Sequence, residues 1–330
     1  MRIGINGFGR IGRQVFRIAY GVPGIEIVHI NDLTEASALA PLLQFDTTHG
    51  RFRPRVQGEG SVLHVDGTTV SVGTERDPSR LPWREKRVDV VLESTGSFRR
   101  KADAAKHLTA GAQKVLISAP GKDALDGDFV LGVNADAYIP ARHHIISIGS
   151  CTTNCLAPIA KALHEELRIQ YGLINTVHAY TSSQSLLDGP NTHPRRGRAA
   201  AENLVPTTTG AAAMIGKIIP ELEGKLHGLA VRVPVKCGSL LDLTCTVETE
   251  TRAEHVNDLL RKWARGPMKG ILSVEDRPIV SSDVIDTVES AIVSAEDTQV
   301  IGGRLVKVLA WYDNEGAFAR RCVDMMARML

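Results

Sequence analysis

Ser150-Cys151-Thr152-Thr153-Asn154-Cys155 sits near the middle of a 330-residue chain, between the apolar run His144-Ile145-Ile146 and a helical pattern through Leu156, Ile159, Leu163 and Leu167. The spacing predicts a strand, a turn and then a helix, with Cys151 on the first helical turn. Unpaired backbone N–H groups and the helix dipole favour an anion there. That lowers a thiol pKa and makes Cys151 a candidate nucleophile. The plainer reading is that Cys151 and Cys155 are two small buried apolar residues one turn apart. Ser150, Thr152, Thr153 and Asn154 supply hydrogen-bonding groups that a core cysteine does not need, and they favour the nucleophile. Downstream, His178 lies near the end of the strand-like run from Leu173 to Tyr180, which leads into a long polar loop. An imidazole is the usual base for a thiol, although a histidine on an apolar strand is more often a satisfied core residue.

Three other stretches point to anions. Gly7-Phe8-Gly9-Arg10-Ile11-Gly12 joins the short strand Arg2 to Asn6 to a helix through Val15, Phe16 and Ile18. Glycines at those positions allow a tight turn and close backbone approach, and the helix start receives a pyrophosphate. The next strand, Ile25 to Ile30, ends in Asn31-Asp32, where a carboxylate can accept from a ribose diol and repel a ribose phosphate, so NAD is expected over NADP. Pro206-Thr207-Thr208-Thr209-Gly210 is expected to open a helix running to Ile219, with hydroxyls and free N–H groups at its start. Arg232 is the one cation in the apolar run Gly228 to Pro234, and a buried arginine needs an acidic partner or an anionic ligand. The loop arginines Arg195, Arg196 and Arg198 could be solvated, cross a subunit boundary or receive phosphate.

The elements that must hold these groups alternate in the first half. A helix is expected from Glu35 to Leu43, a hairpin around Asp66-Gly67, buried strands at Val88 to Glu93 and Lys114 to Ile117, and a helix from Lys101 to Leu108 between them. Ligands of doubly wound sheets lie beyond the carboxyl ends of strands, which brings Thr95, Gly96 and Ser118 beside a cofactor. In the second half, Ser239 to Val247 and Leu305 to Tyr312 join the strand carrying His178 in a mixed, largely antiparallel sheet. The expected fold is therefore α/β: an N-terminal Rossmann-type doubly wound parallel sheet, then an α+β catalytic domain.

Composition limits the alternatives. With 43% apolar residues the chain can fill two cores, and a net charge of +2 from 39 basic and 37 acidic residues gives no bulk attraction for nucleic acid or membrane. No apolar run approaches the length of a membrane span. The five cysteines form no paired metal-ligand spacing, no metal is expected, and without a signal peptide they read as reduced thiols in the cytoplasm.

Taken together, the chain resembles the phosphorylating glyceraldehyde-3-phosphate dehydrogenases nearly end to end. The resemblance is carried by Ile5 to Arg13, Ile30-Asn31-Asp32, Phe45 to Gly50, Ser94-Thr95-Gly96, Ser150 to Cys155, Gly224-Lys225-Leu226 and Tyr312-Asp313-Asn314-Glu315. It implies an NAD-binding domain over 1–149 completed by a C-terminal helix at 316–330, a catalytic domain over 150–315, and a homotetramer. It also implies that Cys151 attacks and His178 activates it. Thr181 and Arg232, with Ser183 and Arg195 beside them, match the positions that hold the substrate's phosphate. Ser150, Thr152, Thr209 and Gly210 match those around the attacking inorganic phosphate. Arg10, Ile11, Asp32, Arg76, Ser118 and Asn314 match cofactor contacts. The chain departs from the family pattern at Ile148, at Val235-Lys236-Cys237-Gly238, and at Gly316-Ala317-Phe318 with Arg320. Leu81-Pro82-Trp83-Arg84-Glu85 is also similar to erythrose-4-phosphate dehydrogenases, which oxidise a four-carbon aldose phosphate to the acid. A redox-sensing or RNA-binding role without catalysis is the remaining alternative, and near-neutral charge argues against a dedicated nucleic-acid binder.

Overall fold

The computed structural model describes all residues, Met1–Leu330, as two units: Met1–Phe129 with Ala137–Gly149 and Phe318–Leu330, and Val130–Asp136 with Ser150–Ala317. Against the boundaries drawn from sequence, Val130–Asp136 and residues 316–317 go with the second unit.

The first unit is built on a nine-stranded sheet. Its strands run in the order Gly127–Asp128, Ile145–Ser147, Lys114–Ile117, Val90–Glu93, Arg2–Asn6, Glu26–Asn31, Thr68–Gly73, Val62–Val65, Val56–Glu59. All pairings are parallel up to Thr68–Gly73, and the last two are antiparallel. Val90–Glu93 and Lys114–Ile117 are buried throughout, as strands covered on both faces must be. The first strand, Arg2–Asn6, lies between Glu26–Asn31 and Val90–Glu93, so the strand order reverses there and a crevice opens at its carboxyl end. Asp66 and Gly67 both take positive φ, 43° and 82°, the conformation a two-residue hairpin turn requires.

The second unit has a seven-stranded sheet ordered Val205–Thr208, Leu226–Val233, Ile169–Ala179, Ser239–Val247, Leu305–Tyr312, Ala291–Ile301, Leu272–Glu275. It is mixed: Ile169–Ala179 pairs in parallel with Leu226–Val233, Leu272–Glu275 with Ala291–Ile301, and the other pairs are antiparallel. Helix Cys151–Leu167 packs against helices Ala211–Ile218 and Ala253–Arg265 and against the sheet. Leu156, Ile159, Leu163 and Leu167, the residues that marked the helix in sequence, are fully buried in this core beside Leu241, Leu243 and Val308. Strand Ser239–Val247 alternates buried and half-buried positions, one face toward the helices and one away. Tyr171, Leu173 and Leu229 are exposed large apolar residues on neighbouring strands of this sheet.

One expectation fails here. Val205–Thr208 is a strand paired with Leu226–Val233, and the helix begins only at Ala211. Two β-branched threonines suit the sheet, and Pro206 is tolerated because the strand is at the edge.

Candidate active site

Cys151 is the first residue of helix Cys151–Leu167, and Ser150 is its N-cap, accepting from the Thr153 N–H at 3.1 Å. The Ser150 hydroxyl, expected near an incoming phosphate, is thus already engaged with Thr153, whose own hydroxyl lies 2.8 Å away. Cys151 Sγ stands 3.4 Å from His178 Nε2, across 27 positions of sequence. Strand Ile169–Ala179 delivers that imidazole, and its parallel neighbour delivers Arg232 in direct register with His178. Arg232 Nη1 lies 2.8 Å from His178 Nδ1 and donates to the Ala179 carbonyl at 2.9 Å. The arginine therefore meets the catalytic-type pair itself rather than a carboxylate.

Tyr312 completes this cluster; the sequence marked it only as part of the motif Tyr312-Asp313-Asn314-Glu315 and gave it no place beside Cys151 and His178. It is 1% exposed, its ring stands edge-on to His178 at 5.9 Å, and its hydroxyl meets Thr152 at 2.9 Å and Thr176 at 2.7 Å. Thr152, expected beside a phosphate, has its hydroxyl turned into this buried group instead. A hydroxyl two residues after a helix N-cap has two directions open to it, and the buried Tyr312 oxygen needs a partner.

Electrostatics differ from the helix-terminus argument. Burial pushes the Cys151 thiol above its ordinary pKa, and the Arg232 charge and bonds to Thr152 only partly oppose this. His178 is driven down to about 3, first by burial and then by Arg232, against bonding to Ala179 and the charge of Glu315. Desolvation disfavours the charged form of each, which works against the lowering of the thiol pKa expected from the helix start.

The other anion-site candidates have partners of their own. Thr181 and Ser183 hydroxyls are 2.8 Å apart. Thr209 accepts from the Ala211 N–H at 3.3 Å, and Gly210 is the exposed N-cap of helix Ala211–Ile218. Arg195 is exposed, whereas Arg196 bonds the Thr207 hydroxyl at 2.9 Å and its charge is felt by Arg232. Of the three loop arginines, Arg196 is the one bonded to the edge strand Val205–Thr208, which pairs with the strand that carries Arg232. Asn314 is buried with its carbonyl accepting from Gly238 N–H and the Ser239 hydroxyl at 3.1 and 3.0 Å.

In the first unit, a pocket of about 480 Å³ opens at the strand-order reversal, lined among others by Gly7, Gly9, Asp32, Arg76 and Thr95. The glycines divide the work. Gly7 has φ of 94° and a Cβ there would come within 2.6 Å of Thr95 N; a Cβ on Gly12 would lie 2.2 Å from Gly7 O. Gly9 faces open space, the room a pyrophosphate at the helix start requires. Asp32 Oδ2 accepts from Phe8 N–H at 2.7 Å, so the carboxylate also fixes the turn. These residues fit a dinucleotide. Gly12, Ile11 and Arg10 follow on helix Arg10–Ala19 outside the pocket lining, and Arg10 forms a two-point ion pair with Asp46. Gly96 takes φ of 74° just after Thr95, and the Ser118 hydroxyl donates to the Glu93 carbonyl at 3.1 Å. Asn6 and Asn31, both within motifs that carry the resemblance, also line the pocket, as do Glu75, Ser97 and Phe98, which no sequence motif singles out for it.

Comparison with known proteins places this geometry. Residues 1–101 match the family pattern described as glyceraldehyde 3-phosphate dehydrogenase, NAD binding domain, and residues 150–314 match the corresponding C-terminal domain. The chain is 51% identical over 327 residues to a glyceraldehyde-3-phosphate dehydrogenase of Geobacillus stearothermophilus, covering 99% of this chain and 97% of that one. It is 50% identical over 327 residues to glyceraldehyde-3-phosphate dehydrogenase 1 of Bacillus subtilis (strain 168), with the same coverage. Against the enzyme of Streptomyces coelicolor the identity is 50% over 328 residues, 98% of this chain and 97% of the relative.

Proposed function

The chain belongs to the glyceraldehyde-3-phosphate dehydrogenase family, and on that premise we propose that Cys151 and His178 carry its NAD-dependent conversion of glyceraldehyde 3-phosphate to 1,3-bisphosphoglycerate. The observation that carries the residue assignment is the 3.4 Å approach of Sγ to an imidazole nitrogen at a helix start, with an arginine on the far side of the ring.

Gly7, Gly9, Asp32, Arg76 and Thr95 would hold NAD, which would supply the hydride acceptor. Cys151 Sγ adds to the aldehyde carbon while its proton passes to His178 Nε2, and His178 returns that proton to the oxyanion to give a hemithioacetal. Loss of hydride from that carbon and of the hydroxyl proton to His178 leaves a thioester on Sγ. Phosphate oxygen then attacks the thioester carbonyl, the C–S bond breaks, and the acyl phosphate departs, returning the sulfur. Two phosphate groups are in play, one belonging to the substrate and one arriving. Arg232, Thr181 and Ser183, with Arg195 near them, are assigned to the first. Ser150, Thr152, Thr209 and Gly210 are assigned to the second; for Ser150 and Thr152 this requires their present hydroxyl partners to be given up, or the contact to run through backbone N–H groups.

The assembly is a homotetramer in this reading, supported by the exposed apolar residues Tyr171, Leu173 and Leu229 on the open sheet and Leu186 and Leu187 on the long loop. The location is cytoplasmic, in keeping with five free cysteines. No helix is long and apolar enough to cross a membrane.

The test is NADH formation from glyceraldehyde 3-phosphate with and without inorganic phosphate, beside erythrose 4-phosphate at equal concentration. Turnover that needs phosphate and prefers the three-carbon aldehyde is expected. Turnover indifferent to phosphate would remove the acyl-phosphate step.

A further inference from the structure

Under the dinucleotide pocket lies a carboxylate that never reaches it. Glu93, the last residue of its strand, is 1% exposed and is absent from the pocket lining. Its Oε2 takes Asn6 Nδ2 at 2.6 Å and His107 Nε2 at 3.1 Å, and its Oε1 takes Thr95 N at 2.9 Å and Thr95 Oγ1 at 2.5 Å.

The direction of every bond is fixed from two ends. Trp83 Nε1 can only donate, and it points at His107 Nδ1 from 3.0 Å; that nitrogen must accept, so the ring proton sits on Nε2, facing Glu93. Trp83 is fully buried, and a Cβ added at Gly4 would fall 2.6 Å from its ring, so the indole lies against the first strand with no room to shift toward it. At the other end, Asn31 Oδ1 accepts from Glu75 N at 2.9 Å and Asn31 Nδ2 donates to Glu75 O at 2.8 Å. The same Nδ2 donates to Asn6 Oδ1 at 2.8 Å, which turns Asn6 Nδ2 toward Glu93. Four donors therefore converge on one group, and only an acceptor-only carboxylate satisfies them all.

Asn6, Asn31, Glu75 and Thr95 all line the pocket. We propose that Glu93 is a positioning residue for cofactor binding, holding Asn6 and Thr95 in place, and that Trp83 makes this possible by fixing the His107 tautomer. The proposal rests on this pocket being the NAD site.

A glutamine side chain in place of Glu93 keeps the shape and presents an amide N–H to donors whichever way it is turned. Glu93→Gln is expected to weaken NAD binding roughly tenfold or more, the order expected for a buried donor left unmet. Adding Trp83→Phe removes the donor at His107 Nδ1, lets the ring carry its proton there and accept from the introduced amide, and should recover part of the lost affinity. Nitrogen chemical shifts of His107 in the cofactor-free chain report the tautomer independently: Nε2–H in the wild type, Nδ1–H in the double variant. Gly9→Ala serves as the control for the pocket. If it leaves NAD affinity unchanged, the pocket assignment fails; if it weakens binding while Glu93→Gln does not, the proposal alone is overturned. A wild-type His107 protonated on Nδ1, or a double variant no tighter than Glu93→Gln, also overturns it.

Discussion

Arg232 and His178 are partners in register on adjacent parallel strands, with Nη1 2.8 Å from Nδ1, so the cation assigned to the substrate's phosphate also touches the residue assigned as base. Ala179 O lies 2.6 Å from the same Nδ1. A carbonyl oxygen only accepts, so with the ring proton on Nδ1 that group donates to Ala179 O and Nε2 is left to accept the thiol proton.

Removing the Arg232 charge separates these effects. Arg232→Gln should raise the His178 pKa from about 3, because a neighbouring cation no longer opposes imidazolium, and should raise the thiol pKa, which loses an attractive charge. Histidine NMR titration and the pH dependence of iodoacetamide alkylation at Cys151 read the two shifts. A fall in either pKa contradicts the geometry.

Cys151→Ser and His178→Gln should divide in the same assay. The first should remove turnover almost wholly. The second should lower kcat by roughly 10²–10⁴, the usual range for a lost general base. NAD affinity measured by fluorescence should be retained in both, since the glycine turn and Asp32 are untouched.

Tyr312→Phe should cost about 1–2 kcal/mol of stability, because it leaves the buried Thr152 and Thr176 hydroxyls short of a partner. Urea unfolding at one protein concentration checks this. Retained stability would mean that the two threonines find other acceptors.

Gly9 and Gly12 should fail differently. Gly12→Ala places a methyl 2.2 Å from Gly7 O and should lower the melting temperature. Gly9→Ala enters open space and should spare the melting temperature while weakening NAD binding. Equal thermal loss in both would refute the division of roles.

Acid should destabilise the fold before carboxylates titrate. His29 and His178 are held down to about 4 and about 3, both chiefly by burial, with neighbouring positive charge from Lys86 and Arg232 adding to it. Unfolded, each would protonate near its ordinary value of 6.5. The unfolded chain then binds more protons, so stability is full above that value and falls as pH drops toward 4, by on the order of 3 kcal/mol from His29 alone. Urea midpoints across this range should decline toward acid; a flat profile would show that these imidazoles reach solvent.

The parts legible in sequence are those settled within a few neighbouring residues. The strand Lys114–Ile117, the helix Cys151–Leu167 and the strand Ser239–Val247 follow from local periodicity and caps. The glycine turn follows from which residues tolerate φ of 94°. Where the pattern was ambiguous, pairing decided: Val205–Thr208 became a strand because Leu226–Val233 offered an edge.

The sequence by itself determined the backbone turn for a dinucleotide, the helix start bearing Cys151, and the order of strands and helices that presents both, because dihedral preference and hydrophobic period act over short range. Only the tertiary structure decided the meeting of Cys151 with His178 and the burial acting on both, the inward turn of Thr152 to Tyr312, and the convergence of donors on Glu93. Each of these depends on burial and on at least one distant partner, 27 positions away for Cys151 and His178, 160 for Thr152 and Tyr312 and 87 for Glu93 and Asn6, and no local pattern encodes which distant atom will fill a buried hydrogen bond.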